Sequence, residues 1–358
     1  MSLKQRLGPF KSSGSRRVSA SANYIGCWPG TKYINPAGTL ISPSITLAVA
    51  GISANAIGDT SAPAAGTQSW ISAGKRVRVH NTGTIPTGLV ATTIYYLGRP
   101  SATTVSFHTT LADAVAGTNL VAMTGGTANI VIYEATIADV SGNGRDLLIG
   151  GVNNDSTWFA TPPYLSGASS GSTDTCAGIL DISALGATLA FPSNSFLMAA
   201  RIIGGTPVAG RSLWGCGVSG SVDGPRLNVD STDTTKLLAQ FYHSGGTNIN
   251  LGTTAAAAFS SATPHHIALA VDGPRRLAHM WIDGARDLNV YNKSLGAAGP
   301  VTWPANLRWG GAAANNCQAS GWSDMHMLAF DGALPSNVDD IVALLATSRY
   351  YRLTDEDI

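Results

Sequence analysis

Two short apolar runs joined by a tight turn are the feature that most restricts how this chain can fold. The first run covers residues 265–272 (HHIALAVD) and the second covers residues 277–284 (LAHMWIDG). Large apolar side chains alternate with small or polar ones, which is the period of a β-strand whose two faces lie in different environments. In the first run Ile267, Leu269 and Val271 fall on one face, whereas a histidine and the alanines fall on the other. The pattern predicts an antiparallel hairpin of a β-sandwich.

Strand-like segments of the same kind recur along the chain, separated by turns rich in Gly, Pro and Asn. The chain has 41 glycines. Only 12% of its 358 residues are charged, against about 25% in an average soluble protein. Helical patterns are scarce: residues 111–117 predict a single helical turn, and residues 336–339 (SNVD) resemble the capping box that starts a helix. Ile341, Leu344 and Leu345 then give that helix one apolar face. We predict an all-β protein with one short C-terminal helix.

The length of the chain is sufficient for about two domains. Residues 1–22 are predicted to form a basic flexible arm, 23–135 a small β domain, 136–348 a β-sandwich jelly roll and 349–358 a C-terminal tail. Two interpretations of the arm remain open: a disordered tail, or a segment that becomes ordered on an acidic surface of a neighbouring subunit. Its cations are Lys4, Arg6, Lys11, Arg16 and Arg17.

Part of the small β domain carries a recognisable order of motifs. A turn at 82–89 (TGTIPTGL) is followed by a strand at 95–97 (YYL), a strand and turn at 107–116, and a closing segment at 123–126 (MTGG). In order and spacing these motifs resemble a module of tail-associated structural proteins of tailed bacteriophages. The resemblance covers about one-eighth of the chain. The resemblance implies that this chain is a component of a phage particle.

The opening hairpin carries a second resemblance. Residues 265–273 and 278–284 are similar to the paired strands of the concanavalin A-like, laminin-G-type jelly roll, with Pro264 where that family usually has Trp. The family's opening strand and loop resemble 138–151, and its closing strand and helix resemble 327–344. The resemblance implies that about 200 residues of this chain form a jelly roll. It implies nothing definite about activity.

The two histidines that open the hairpin, His265 and His266, raise the question of a metal site. Several ligands must converge on a metal, and no Asp or Glu lies within six residues upstream. We therefore interpret the pair as structural. Asp272, Asp283 and Asp331 each precede a glycine, which is typical of turn residues.

Glutamate is nearly absent: the chain has only Glu134 and Glu356. A glycosidase needs two carboxyl groups about 5–10 Å apart, and glucanases of the concanavalin A-like fold are recognised by an E-x-D-x-E or E-x-D-x-x-E strand that this chain lacks. We predict a protein that is not an enzyme, with no catalytic residue and no cofactor. A site built from aspartates remains open as an alternative.

One loop is a candidate for calcium. Asp139, Ser141 and Asn143 have the spacing of the first oxygen ligands in a calcium loop, but Gly150 stands where the bidentate acid is expected. A sharp Asn-Gly turn explains the same residues, and we expect no bound metal. The cysteines are too widely spaced for a zinc site and are predicted to be buried thiols: Cys27, Cys176, Cys216 and Cys317.

The binding partners are restricted by charge and hydropathy. The net charge of +1 gives no field that would recruit nucleic acid, and no run approaches the roughly 18 apolar residues of a membrane span. Sugar sites in sandwich folds use aromatic rings together with amide and carboxylate hydrogen bonds. These residue types could equally pack in the core. The candidates for a glycan site are Trp214, Tyr242, His243, Trp309, Asn315 and Trp322.

From these features we predict a structural protein of a tailed-phage virion, synthesised in the host cytoplasm, in a tail tip, baseplate or fibre-like appendage. Its jelly roll would contact other virion proteins or a glycan of the host surface. By analogy with such appendages we expect a homo-oligomer, and the analogy favours a trimer. Two alternatives remain: a depolymerase that cleaves polysaccharide, and an architectural capsid-decoration protein.

Overall fold

The computed structural model describes most of the chain from residue 23 to residue 347. The described residues are 23–28, 44–47, 52–53, 56–58, 73–81, 85–90, 93–101, 104–124, 130–134, 136–137, 139, 141–149, 157–160, 163–167, 178–204, 207–216, 220–255, 263–309 and 320–347. The predicted arm (1–22), the predicted tail (349–358) and Asn315 lie outside these residues. What was predicted for them stays a prediction.

The regular elements of the described residues are almost all β-strands, as the turn-rich alternating sequence predicts. The strands are β1 Tyr24–Trp28, β2 Ser44–Leu47, β3 Ile52–Ser53, β4 Ala56–Gly58, β5 Arg76–Asn81, β6 Tyr95–Ser101, β7 Thr104–His108, β8 Ile130–Glu134, β9 Thr136–Ile137, β10 Leu147–Ile149, β11 Thr157–Ala160, β12 Pro163–Gly167, β13 Gly178–Asp181, β14 Ser195–Gly204, β15 Ser212–Gly215, β16 Gly224–Val229, β17 Leu237–His243, β18 Thr247–Thr253, β19 His265–Asp272, β20 Leu277–Ile282, β21 Ala285–Arg286, β22 Lys293–Ser294, β23 Asn306–Trp309 and β24 Ser320–Phe330. The helices are α1 Leu111–Ala116 and α2 Val338–Thr347, with a 3-10 turn at Ser183–Leu185.

The strands form three antiparallel sheets, two of which face each other as a sandwich. The first sheet has the order β11-β12-β24-β14-β19-β20-β21, with β1 also paired to β24 and β22 to β20. The second has the order β18-β17-β16-β15-β23-β13-β10-β9. One continuous cluster of buried side chains from both sheets fills the space between them. The predicted all-β sandwich with one short C-terminal helix is confirmed.

The hairpin predicted at 265–284 is β19 paired with β20, from Ile267 opposite Ile282 to Asp272 opposite Leu277. Ile267, Leu269, Val271 and Met280 face the other sheet and are buried in the core between the sheets, whereas Trp281 faces α2. The alanines of β19 face outward, where α2 packs over the first sheet and buries Ile341 against them. Small side chains on that face allow the helix to approach the sheet closely.

The position of β1 differs from the predicted domain boundary. Residues 23–135 were predicted to form the small domain, but β1 pairs with β24 in the sandwich. A bulge between Tyr24 and Gly26 places Ile25 and Trp28 in the core between the sheets, whereas Tyr24 and Cys27 face α2. Burial of all five residues of β1 explains why the strand joins the larger domain. A local pattern could not reveal that long-range pairing.

The third sheet belongs to the predicted small β domain and has the order β2-β8-β5-β6-β7-β4-β3. The inward side chains of its central strands are fully buried, among them Val79, Leu97 and Phe107. The predicted helical turn is α1, which begins after Thr110 and ends at Gly117 in the left-handed conformation (φ 69°). Glycine adopts that conformation without steric cost, which is why the helix ends there.

Candidate functional site

The three tryptophans predicted to contact a glycan lie in the centre of the sandwich instead. Trp214, Trp309 and Trp322 are 0% exposed, and their ring centroids are 5.2 to 6.0 Å apart. A side chain with no exposed surface cannot stack on a sugar ring. The prediction of a glycan contact is therefore wrong for all three residues.

Strand bulges explain why two of these rings point inward. In β15 a bulge between Ser212 and Trp214 breaks the alternation, so that Leu213 and Trp214 both enter the core. In β24 a second irregularity, where it pairs with β14, brings Trp322 to the same side as Met325. An extra residue in one strand turns the following side chains to the opposite face.

Tyr242 and His243 are neighbours at the end of β17 and have different roles. The Tyr242 hydroxyl donates to Gln240 Oε1 at 3.1 Å, on the outer face of the second sheet. His243 Nδ1 accepts a hydrogen bond from the Gly299 amide at 3.0 Å, so this half-buried ring fixes a loop. Of the residues predicted for the glycan site, Tyr242 alone among the described ones joins the polar network described below.

The calcium candidate is a hydrogen-bonded turn. Asp139 Oδ1 accepts the amide protons of Cys27 and Ser141 at 3.0 and 2.8 Å. Its Oδ2 accepts the Ser141 hydroxyl at 2.8 Å and the Arg145 amide at 3.2 Å. Both carboxylate oxygens are thus occupied by protein donors, and one of the supposed ligands, Ser141, is itself a donor. These hydrogen bonds support the sharp Asn-Gly turn, which was the other explanation of Asp139, Ser141 and Asn143.

The same loop attaches β1 to the sandwich. Asn143 Nδ2 donates to the Tyr24 carbonyl at 2.6 Å, and Arg145 Nη1 donates to the Ile25 carbonyl at 3.0 Å. The Trp28 indole donates to the Arg145 carbonyl at 2.8 Å. The loop therefore satisfies backbone groups of β1 that its single neighbour, β24, leaves without a partner.

We expect Asp139→Ala to lower the free energy of unfolding by about 1–3 kcal/mol, because it leaves buried amide donors without an acceptor. Excess calcium should leave the melting temperature of the unaltered protein unchanged. Asp331→Ala, in an exposed turn, is the matched control and should change stability by less than about 0.5 kcal/mol. Thermal unfolding with and without a chelator measures both effects. A calcium-dependent rise in melting temperature that Asp139→Ala abolishes would restore the calcium hypothesis.

The outer face of the second sheet carries a connected set of polar side chains, the polar network: Ser212, Arg226, Asn228, Gln240 and Tyr242. Ser212 Oγ and Arg226 Nε donate to Asn228 Oδ1 at 2.9 and 2.8 Å. Asn228 Nδ2 donates to Gln240 Oε1 at 2.8 Å, and the same oxygen accepts the Tyr242 hydroxyl. The network joins three neighbouring strands, so each side chain is held in place by the next. Such preorganisation is what a binding site requires.

One row of directly paired residues, the cross-sheet row, crosses the second sheet through this network. Opposite residues of antiparallel strands place their side chains on the same face. In strand order the members are Asn250, Gln240, Arg226, Gly215, Arg308, Ile179 and Leu148. At about 4.8 Å per strand the row is about 29 Å long. Apart from Gly215, its members are half-buried or exposed.

Gly215 is the one position of the row without a side chain, and the backbone requires it. Its φ is +122°, and a Cβ atom there would lie 2.2 Å from the Pro225 carbonyl oxygen. Arg226 and Arg308 pair with Gly215 from its two sides. The row therefore has a bare backbone position between two arginines.

This row combines the chemical groups that bind sugars. Amide and guanidinium groups at one end donate and accept hydrogen bonds. The half-buried Ile179 and Leu148 give apolar surface at the other end. Sequence reasoning missed the row because isolated polar residues in alternating strands are normally a solvated face. One feature of the sequence could have indicated the row. Polar residues recur at outward-facing positions of 226–229 (RLNV) and 237–242 (LLAQFY), and these two strands are neighbours in the sheet.

The buried aspartates of the sandwich act as acceptors for the backbone. Asp223, Asp230 and Asp287 each accept at least two amide protons from loops. The hydrogen bond from the Thr232 hydroxyl is the largest of several that hold the pKa of Asp230 well below its usual value. A glycosidase needs one carboxylic acid with a raised pKa. Every aspartate of the described residues whose pKa is shifted has it shifted downward.

Both histidines at the start of the hairpin contact the turn residue Asp283. His265 Nδ1 lies 2.8 Å from Asp283 Oδ2, and the His266 amide donates to Asp283 Oδ1 at 2.8 Å. Asp272 and Asp283 serve as turn residues: Asp272 Oδ1 accepts the Arg275 amide. The described residues contain no group of three or more metal-binding side chains. Cys27 and Cys216 are buried free thiols, as predicted for them.

Comparison with known proteins gives no family. No family model matches the chain, and no curated protein matches it. Within the part of the chain that the structure describes, no helix is long and apolar enough to span a membrane.

Solved structures with partial similarity include the binding domain of botulinum neurotoxin serotype G, at 11% identity and a TM-score of 0.43, covering 58% of this chain and 47% of that one. A Trypanosoma rangeli sialidase matches at 15% identity and a TM-score of 0.41, over 60% of this chain and 31% of that one. A botulinum neurotoxin DC binding domain, solved in complex with SialylT, matches at 12% identity and a TM-score of 0.43, over 60% and 49%. This chain thus spans less than half of each. Its fold assignment rests on its own strand pairing.

Proposed function

We propose that this protein is a non-enzymatic attachment module that binds a glycan on the outer face of its second sheet. The cross-sheet row is the observation that carries the proposal. It offers fixed hydrogen-bonding groups next to apolar surface, along a length that suits a chain of sugars rather than a single ring.

The hydrogen-bond pattern supports binding over cleavage. The network side chains are amides, hydroxyls and a guanidinium, and none of them is a carboxyl group, which most glycosidases use as acid and nucleophile. The oxygens of the buried Asp223 accept backbone amide protons, and the hydrogen bonds to Asp230 lower the pKa of that carboxyl group. These features favour an attachment protein over a depolymerase.

The setting we propose is the virion of a tailed phage, in a tail tip, baseplate or fibre-like appendage. The support is the motif order at 81–126, which resembles tail-associated modules. In this proposal the small β domain and the basic arm dock on other virion proteins or on further copies of the chain, and the sandwich meets the host surface. Mass spectrometry of purified phage particles tests the setting independently of the glycan.

We expect the protein to bind members of an array of bacterial surface polysaccharides, and Gln240→Ala to weaken that binding about tenfold or more, the effect of losing one well-placed hydrogen bond and disturbing its neighbours. Lys293→Ala, in exposed β22 of the other sheet, is the control and should bind normally. Calorimetric titration with the strongest array ligand measures the difference, and circular dichroism verifies that both variants fold.

Three results would contradict the proposal. Equal affinity of Gln240→Ala and the unaltered protein for the glycan would show that the binding site is not on the cross-sheet row. Shortening of a bound polysaccharide by the purified protein would favour the depolymerase. Presence in the particle without affinity for any glycan would favour the architectural decoration protein.

A further inference from the structure

We propose that α2 is an acid-sensitive latch: when His266 and His326 take up protons, the helix leaves the outer face of the first sheet while the sandwich beneath it stays folded. The basis is the position of both histidines beside Arg201 on the face that α2 covers. The inference does not depend on the proposed glycan site, which lies on the other sheet.

Strand pairing places the two histidines close to Arg201. His266 of β19 pairs directly with Arg201 of β14, so their side chains lie on the same face of the sheet. His326 of β24 pairs with Ala199, two residues before Arg201 on the same strand. His266 is 1% exposed and His326 is 3% exposed. Two ionisable rings and one guanidinium therefore lie together in a region that water hardly reaches.

The acids that the neighbouring strands bring to this region already have basic partners. Asp324 is buried, and its Oδ2 lies 3.8 Å from Arg201 Nε. Asp283, in the turn after β20, accepts the His266 amide through Oδ1, and its Oδ2 lies 2.8 Å from His265 Nδ1. Two added protons would therefore give this region two positive charges that no further carboxylate of these strands balances.

The other elements packed on this face add no acid near the histidines. From β1 the phenol of Tyr24 lies 3.3 Å from His326 Nδ1, and Cys27 pairs with His326. The acids of α2 are Asp339 and Asp340 in its first turn, about 9–10 Å along the helix from Ala346. Burial therefore keeps both rings neutral, lowering the pKa of His266 to about 3 and that of His326 to about 4.

The histidines can become hydrated without any opening of the core between the sheets. The apolar side chains beneath α2, such as Leu197 and Ala268, form a cluster separate from that core. The helix pairs with no strand, and no strand of the described residues follows it in the chain. Displacement of α2 therefore brings water to both rings and leaves every strand pair intact.

The contacts at the two ends of α2 differ in their response to acid. At its start Asp339 Oδ1 accepts hydrogen bonds from Trp281 Nε1 at 2.8 Å and from Arg286 Nε at 2.9 Å. The bonds from Arg286 lower the pKa of Asp339, so this attachment persists in mild acid.

At the other end of α2, Arg201 Nη2 donates to the Ala346 carbonyl at 3.0 Å. Protonation of His266 places a second cation directly opposite Arg201, and like charges in that position repel. The dipole of α2 opposes this effect because a helix C-terminus favours cations, but only by a factor of about 2–5. We therefore expect α2 to separate first at its C-terminal end.

Hydrogen exchange in the full-length protein tests the latch. Between pH 6.5 and pH 4.5 the protection of the α2 amides, corrected for the intrinsic exchange rate, should fall about 1,000-fold, roughly 30-fold for each histidine. Amides of β16 and β17 in the second sheet should remain protected at pH 4.5. A dye that fluoresces on apolar surfaces should bind at pH 4.5 and not at pH 6.5, because the cluster beneath α2 is then exposed.

The double variant His266→Gln with His326→Gln replaces both rings by neutral side chains that do not titrate. Its α2 amides should keep their protection at pH 4.5. Lys293→Gln, in exposed β22, is the control and should behave like the unaltered protein. Should the double variant misfold, His326→Gln alone is expected to reduce the fall in protection to about 30-fold.

Three results would overturn the latch. In the first, α2 and β17 lose protection in a single step, which is unfolding of the whole sandwich. In the second, α2 of the unaltered protein stays protected at pH 4.5. In the third, α2 is released at pH 4.5 in the double variant, which assigns the release to groups other than the histidines.

Discussion

Replacement of Trp214 by alanine should lower the free energy of unfolding of the sandwich by about 3–5 kcal/mol, the usual cost of removing a large aromatic side chain from a core. Trp214 is 0% exposed and packs edge-on against Trp309 at a centroid distance of 5.2 Å. The cavity would open at the centre of the contact between the two sheets, where the surrounding rings have little freedom to fill it. Chemical denaturation followed by far-ultraviolet circular dichroism measures the loss.

A second substitution at the same position separates packing from hydrogen bonding. The indole nitrogens of Trp214 and Trp309 are buried without a hydrogen-bond partner among the residues that the structure describes, and a buried polar group in that state costs about 1–3 kcal/mol. Trp214→Phe removes this group while it keeps much of the ring, so its cost should be far smaller than that of Trp214→Ala. Leu288→Ala, at a residue that is 86% exposed, serves as the control with little effect. A Trp214→Ala protein of normal stability that fails to bind glycan would show that the ring is a contact residue after all.

Acid should destabilise the protein strongly between pH 6.5 and pH 4.5, and two histidines under α2 are the reason. Burial lowers the pKa of His266 to about 3 and that of His326 to about 4. For His266 the nearby His326 and Arg201 lower it further, while Asp283 opposes the shift. In the unfolded chain both rings titrate near 6.5. The unfolded state therefore binds more protons in this pH range, and stability falls as the pH falls. Each histidine should account for about 2 kcal/mol at pH 4.5.

The aspartates change the stability of the protein in a lower pH range than the histidines do, so the two contributions can be measured separately. Asp230 and Asp339 have lowered pKa values in the folded protein, so their contribution is present above an unfolded value of about 3.9 and is lost only as the pH falls below it. Measurements that stop at pH 4.5 therefore report mainly the histidines.

His266→Leu tests the assignment. Within the described part of the chain, both ring nitrogens of His266 lack a hydrogen-bond partner. An apolar side chain of similar size should therefore be tolerated at neutral pH, and it should remove about half of the loss of stability between pH 6.5 and pH 4.5. Leu288→Ala, at a residue that is 86% exposed and does not titrate, should leave the acid sensitivity unchanged. Thermal melting across this pH range is the measurement. An unchanged slope in His266→Leu would assign the acid sensitivity to other groups.

Several parts of the fold follow from the sequence because they depend on local pattern. The alternation at 265–284 predicts the hairpin, its inward face and its turn aspartates, and all three are confirmed. The helical turn at 111–117 and the apolar face of α2 follow from periodicity and capping in the same way. Each of these features involves residues close in the chain, whose side-chain directions are set by the period of the element.

The tertiary structure alone decided which polar residues meet and which aromatic residues are hidden. The bulges in β15 and β24 reverse the direction of Trp214 and Trp322, and an alternating pattern gives no indication of one extra residue. The cross-sheet row unites Gln240, Arg226 and Arg308 only because β17, β16, β15 and β23 are neighbours. Where the alternation is unbroken, the sequence therefore determines the face on which a side chain lies. The pairing of distant strands determines its neighbours and, at a bulge, its face as well, because register depends on the burial of the whole sheet.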